Sequence, residues 1–286
     1  MNVLTPYLPI CYGYSRPYNY VSIETEEEFY YLKNVPHGTV RQEYFYSDIT
    51  GEWERCFVYT PVEYEECPEK RYPVLYLQHG HGENETGWIE EGKVHFIMDN
   101  LIQAKEAKPF IIVMNNGMVQ TKNAEGKRIV DHTIFPEYLI KDVIPYIEKK
   151  YRTIKNKDSR AMAGLSMGSI QTSITAFEYP EYFSYIGLFS GFLRDFIQGD
   201  KIMDMVQRGK ASDKHLRILD SKETFKNNLK IFFRAMGEND IFIQKFLEED
   251  ELLSKKDISC IRIIYEGGHD WNVWRRCIRD FAKLLF

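Results

Sequence analysis

The chain has 286 residues, of which 44% are hydrophobic and 28% charged, with a formal net charge of -5. This length and balance suit one large globular domain with a small appendage, and they exclude a disordered chain, a collagen-like fibre and a coiled coil. No apolar run approaches the roughly 20 residues a membrane helix needs, and the negative balance gives a nucleic-acid partner no support.

Residues 1–36 are rich in Tyr and Pro and hold the acidic run 24–28. They read as an irregular lead-in to a domain at 37–286. Nine of the 20 Tyr fall in the first 46 residues. Tyr joins a large apolar face to a polar tip, so this density fits either ordinary packing or a surface that stacks sugars and phenols. The first ten residues lack a basic n-region, and Pro6 and Pro9 interrupt them, unlike a signal peptide. The expected location is therefore cytoplasmic, or secreted where a leader has been removed. Cys11, Cys56, Cys67, Cys260 and Cys277 are widely spaced with no CxxC pair. That pattern predicts free thiols, with neither a zinc cluster nor a disulfide framework.

Residues 41–46 and 54–59, around the turn signal Asp48-Ile49-Thr50-Gly51, predict a β-hairpin; 63–70 reads as a charged loop. From Tyr72 onward, short apolar runs alternate with amphipathic stretches. The predicted strands are 74–78, 110–114, 159–163, 185–189, 231–235 and 260–265. The predicted helices are 137–151, 167–177, 241–255 and 271–285. Such alternation means βαβ crossovers and a mostly parallel, doubly wound sheet with helices on both faces, the hairpin adding antiparallel strands at one edge. The charged stretch 191–228, with Asp195, Asp200, Asp204, Asp213 and Asp220, reads either as a lid or as a solvated helical excursion.

Gly164-Leu165-Ser166-Met167-Gly168 lies between a predicted strand and a predicted helix, the context a nucleophile elbow requires. The turn is tight enough that flanking side chains would clash, and it leaves the serine hydroxyl at the apex. A lone serine is a weak nucleophile and needs a base and an orienting acid, in the chain order Ser, acid, His. Of the two later histidines, His215 sits in the charged stretch with no strand before it. His269 follows strand 260–265 and the Gly267-Gly268 pair, so it is the candidate base. Asp240, after strand 231–235, is the candidate acid; capping helix 241–255 is its other use, and Glu238 is the fallback. Asp270 is too close in sequence to His269 to orient it. The backbone N–H groups of His81 and Met167 are the candidate oxyanion donors, one from the His79-Gly80-His81-Gly82 loop and one from the helix start. His79 and His81 lack further partners at metal-ligand spacing, so neither a metal nor a cofactor is expected.

Residues 72–82 (YPVLYLQHGHG), Trp88, 99–102 (DNLI), 114–117 (MNNG), 161–168 (AMAGLSMG), 189–191 (FSG) and 267–274 (GGHDWNVW) together resemble the esterase D / carbohydrate esterase family 1 group. The likeness runs from about Val35 to Phe286. It implies an α/β-hydrolase fold, a Ser166–Asp240–His269 triad and an oxyanion hole at His81 and Met167. Residues 28–38 resemble the linker that joins a carbohydrate module to the esterase in relatives. Where family variants often have Gly, this chain has Ser169. The group contains feruloyl esterases, acetylxylan esterases, mycolyltransferases and S-formylglutathione hydrolases. The expected activity is hydrolysis of plant cell-wall esters, feruloyl foremost. An acetylxylan esterase, an S-formylglutathione hydrolase or acyltransferase, and a non-catalytic carbohydrate binder are the rivals. The expected partner is a small ester or a feruloylated or acetylated oligosaccharide. A feruloyl ring needs an apolar slot with a polar end, for which Trp88, Asn115, Asn116 and Trp271 are candidates because all follow strand ends.

Overall fold

The computed structural model describes residues 4–5, 7–21, 27–193, 217–219 and 222–286. At its centre is an eight-stranded sheet in the order β12-β11-β10-β9-β5-β6-β4-β3. Its strands are β3 Thr39–Ser47, β4 Glu52–Thr60, β5 Val74–Gln78, β6 Ile111–Asn115, β9 Arg160–Leu165, β10 Tyr185–Phe189, β11 Ile231–Gly237 and β12 Ile261–Tyr265. The six from β5 to β12 pair in parallel, whereas β3 and β4 form the antiparallel edge expected from the sequence. Strands β5, β6, β9 and β10 are buried at every position, as parallel strands covered on both faces must be.

Alternate residues feed two cores. Val74 and Tyr76 point to one, with Val143, Ile147 and Phe177. Leu75 and Leu77 point to the other, with Ile97, Met98, Ile278 and Phe281. The covering helices are α1 Glu63–Glu66, α2 Gly87–Glu90, α3 Val94–Gln103, α4 Phe135–Tyr138, α5 Ile144–Lys150, α6 Met167–Glu178, α7 Lys222–Asn228, α8 Ile243–Lys255 and α9 Trp271–Ala282.

Three differences from the sequence reading have physical causes. The helix predicted over 137–151 is broken by a π-helical turn, Leu139–Val143, just before Pro145, which cannot donate to the carbonyl four residues back. Helix α3 was not foreseen, although Val94, Ile97, Met98 and Leu101, all buried, carry its spacing. The N-terminal stretch read as irregular contains a hairpin, β1 Ile10–Gly13 and β2 Arg16–Asn19, and a 3₁₀ turn, Glu28–Tyr30, whose Tyr30 is buried in the second core. The Asp99-Asn100 pair of α3 holds the segment that follows. Asp99 accepts from Gly38 N–H (2.9 Å) and Tyr59 O–H (2.7 Å), and Asn100 donates to Phe29 O and Tyr31 O. The stretch read as a lid or a solvated helical excursion, with His215 and its five Asp, lies largely outside the described residues. A second small hairpin, β7 Gln120–Lys122 and β8 Arg128–Val130, follows β6. Among the described residues no helix is long and apolar enough to cross a membrane.

Candidate active site

Ser166 sits between β9 and α6 with φ 51° and ψ -117°, a backbone state that side-chain-bearing residues rarely adopt. The flanking glycines make it attainable. A Cβ on Gly164 would stand 2.4 Å from the Gly168 carbonyl carbon, and one on Gly168 would stand 2.6 Å from the His79 oxygen. Ser169 donates its hydroxyl to the Ser166 carbonyl (2.7 Å) and reinforces the turn.

Three loops at the C-terminal edge of the sheet bring the candidate residues together. His269 Nε2 lies 3.0 Å from Ser166 Oγ, and His269 Nδ1 lies 2.9 Å from Asp240 Oδ2. The Asp240 carboxylate can only accept, so Nδ1 carries the proton and Nε2 is left as the acceptor for the serine hydroxyl. Asp240 is 2% exposed. Its other oxygen accepts from Phe242 N–H (2.9 Å) in the turn that leads into α8. The N-cap position of that helix is Phe242, with no side-chain cap, so the acid reading of Asp240 fits the geometry and the capping reading is corrected to a bond within the preceding turn. Glu238 points to solvent and does not reach His269. Asp270 caps α9 through Asn272 and Val273 N–H. Phe242 and Trp274 meet the His269 ring edge-on at 5.4 and 5.1 Å.

The oxyanion loop is held from both sides. His79 is buried; its Nδ1 donates to Gly80 O and its Nε2 accepts from Gly117 N–H, both at 2.8 Å. Burial pushes its pKa down to about 4, so the ring is neutral and structural. The Glu83 carboxylate accepts from Gly80 N–H (2.7 Å). Among the described residues, neither His81 N–H nor Met167 N–H donates to another group, which leaves both open toward an oxyanion beside Ser166.

Burial raises the Glu83 carboxyl from 4.5 to about 7. Between those values the folded chain keeps a proton that the unfolded chain has lost, so stability falls as pH rises through that window. Glu83→Gln keeps an acceptor for Gly80 N–H and removes the charge. It should leave Tm nearly unchanged at pH 5 and raise it at pH 8, by about 2–4 °C for each kcal/mol recovered. An equal rise at both pH values would refute the cause.

A cavity of about 400 Å³ opens on Ser166 and His269. Of the four substrate candidates it takes only Trp271. Trp88 is 1% exposed and donates its indole N–H to Gln78 O (2.8 Å); it packs beneath Trp271, with ring centroids 5.1 Å apart. Asn115 is fully buried and accepts from Gln78 Nε2 (3.0 Å). Both are corrected to core residues: following a strand end brings a residue near the site, but does not turn its side chain outward. Trp88→Ala should therefore cost about 3–5 kcal/mol of stability, read by denaturant unfolding, with no selectivity between esters. Asn116 turns its Oδ1 to Met118 N–H and lines a neighbouring cleft. The cavity is also lined by Tyr14, Tyr18, Glu83, Glu91 and Trp274, which were not singled out from the sequence beyond the Tyr density of the N-terminus.

The model of the Esterase family matches residues 47–282. The chain belongs to the Esterase family. It is 36% identical over 270 residues to an endo-1,4-beta-xylanase/feruloyl esterase of Xylanibacter ruminicola, covering 91% of this chain and 33% of that protein. It is 29% identical over 172 residues to endo-1,4-beta-xylanase Y of Acetivibrio thermocellus, covering 56% of this chain and 15% of the other. The chain thus spans a third or less of these two curated relatives. Among solved structures, a CE1 ferulic acid esterase of Anaeromyces mucronatus in complex with ferulic acid superposes with a TM-score of 0.75 at 22% identity, covering 93% of this chain and 98% of that one. The resemblance read from the motifs, and the α/β-hydrolase fold it implies, are borne out.

Proposed function

We propose that the chain is a serine ester hydrolase that removes feruloyl-type groups from plant cell-wall polysaccharide through an acyl-enzyme. Ser166 Oγ attacks the ester carbonyl carbon while His269 Nε2 takes its proton. Asp240 holds the His269 tautomer and stabilises the imidazolium. His81 and Met167 N–H stabilise the oxyanion, each donor contributing about 3–4 kcal/mol in the transition state. His269 then protonates the departing alkoxide. Water, deprotonated by the same histidine, attacks the acyl-enzyme and releases the acid.

The observation that carries the choice of acyl group is the cavity. About 400 Å³ walled by Trp271, Trp274 and Tyr14 opens directly on the nucleophile. An acetyl group would leave most of that space to water, whereas a flat aromatic acyl group would fill it against apolar walls. The feruloyl esterase named among the relatives supports the same reading. A panel of methyl ferulate, acetylated xylan and S-formylglutathione tests it. Methyl ferulate should give the highest kcat/KM; turnover of either other substrate without methyl ferulate would overturn the assignment.

A further inference from the structure

The N-terminal hairpin is seated on the oxyanion loop, not splayed from it. Strands β1 and β2 are joined by the two-residue turn Tyr14-Ser15, at φ 51° and 58°, with Gly13 opposite Arg16. Positive φ at both positions is what a right-handed two-residue hairpin turn requires. Ser15 N–H donates to Gly82 O (2.8 Å). Gly82 has φ +77°, and a Cβ on it would lie 3.2 Å from Ser15 N and 3.4 Å from Tyr14 Cα. The glycine lets the hairpin tip lie flat against the loop that carries His81. Two further ties hold Tyr20, the residue directly after β2: its O–H donates to Glu90 O (2.9 Å), and Lys93 Nζ donates to its Oη (2.9 Å). Cys11, in β1, is 2% exposed.

Seated there, the hairpin supplies Tyr14 and Tyr18 to the cavity that Ser166 and His269 share. The Tyr18 ring packs on its own hairpin at Gly13, where a Cβ would lie 2.9 Å from it. Its hydroxyl donates to Glu91 Oε1. Glu91 lines the same cavity, and among the described residues its Oε2 accepts no hydrogen bond and no cation forms an ion pair with its carboxylate. Arg275 donates to the Glu91 main-chain oxygen (2.8 Å) instead of its carboxylate. A carboxylate aligned by a tyrosine and lining an aromatic-walled cavity is suited to accept a hydrogen bond from a hydroxyl.

We propose that Glu91, oriented by Tyr18, is the polar end of the acyl pocket and accepts a hydrogen bond from the phenolic hydroxyl of a 4-hydroxycinnamoyl group. This rests on the feruloyl reading of the site and names what selects the acyl group within it. A phenol is preferred over a sugar hydroxyl on chemical grounds. Burial disfavours the charged Glu91 carboxyl and raises its pKa, so it gains most from a strong donor. A phenol, with pKa about 10, is a far stronger donor than an aliphatic alcohol. Trp271 gives the cavity a flat aromatic wall suited to such a ring.

The test compares methyl 4-hydroxycinnamate with methyl cinnamate, which differ by that hydroxyl alone. The native chain should favour the first by about tenfold or more in kcat/KM, since a site built to bond a hydroxyl rejects the analogue without it. Glu91→Met, which keeps length and removes the acceptor, and Tyr18→Phe, which keeps the wall and removes the orienting hydroxyl, should each lower that ratio at least fivefold. A native ratio near one overturns the proposal without any variant. So does an unchanged ratio in both variants, or a loss equal for both esters at native Tm. An effect seen with feruloylated arabinose but absent from the methyl-ester pair would place the contact on the sugar and also overturn it. The feruloyl reading fails in a different way: no turnover of either cinnamate ester while p-nitrophenyl acetate is cleaved.

Discussion

Ser166→Ala should lower kcat by about 10⁶-fold, the loss typical when the nucleophile of such a triad is removed. It should move Tm by no more than about 2 °C. The two halves of this expectation come from the same geometry. The serine hydroxyl reaches one partner, His269 Nε2 at 3.0 Å, and packs nothing that a methyl group would leave empty. The strained backbone at φ 51° is imposed by the elbow and by the glycines beside it, so alanine inherits the strain without relieving or increasing it. The measurements are initial rates on p-nitrophenyl acetate, with burst amplitude reporting the acyl-enzyme, and calorimetric Tm. Residual activity above a few per cent of the native kcat would remove Ser166 from the role of nucleophile.

The legibility of this site in the sequence followed from local constraint. The elbow is written in five consecutive residues because the collisions that forbid side chains at Gly164 and Gly168 arise within one tight turn and from the strand next to it. His269 and Asp240 were legible because parallel strands deliver all their following loops to one edge of the sheet, which reduces a long-range question to finding loops after strands. Side-chain direction is not encoded in the same way. Trp88 and Trp271 both sit near that edge, yet the indole of Trp88 turns inward to Gln78 O while Trp271 faces the cavity. Tyr18 was less legible still, because its partner Glu91 is 73 residues away and no periodicity links the two. Helix α3 is a different case, since its apolar spacing was present and is masked by Lys93, His95 and Asp99. Asp99 is buried as the anchor of Gly38 and Tyr59.

The acid is the member of the triad with two jobs, and a substitution that separates them gives the second large expected effect. Asp240→Asn should lower kcat by about 10⁴-fold with Tm little changed. Asparagine keeps an oxygen for Phe242 N–H, so the turn into α8 keeps its hydrogen bond. What changes is the group facing His269 Nδ1. An amide nitrogen there donates where the carboxylate accepted, so Nδ1 loses its proton and Nε2 gains one. The histidine is then a donor toward Ser166 and cannot take its proton, and the imidazolium formed during attack loses its counter-charge. Asp240→Ala makes the control, because it removes the bond to Phe242 N–H as well: it should match the loss of kcat and add about 1 kcal/mol of destabilisation, the usual worth of one such hydrogen bond. A kcat for Asp240→Asn within tenfold of the native chain would mean that another carboxylate orients His269, and Glu238 would have to swing in from solvent to do it.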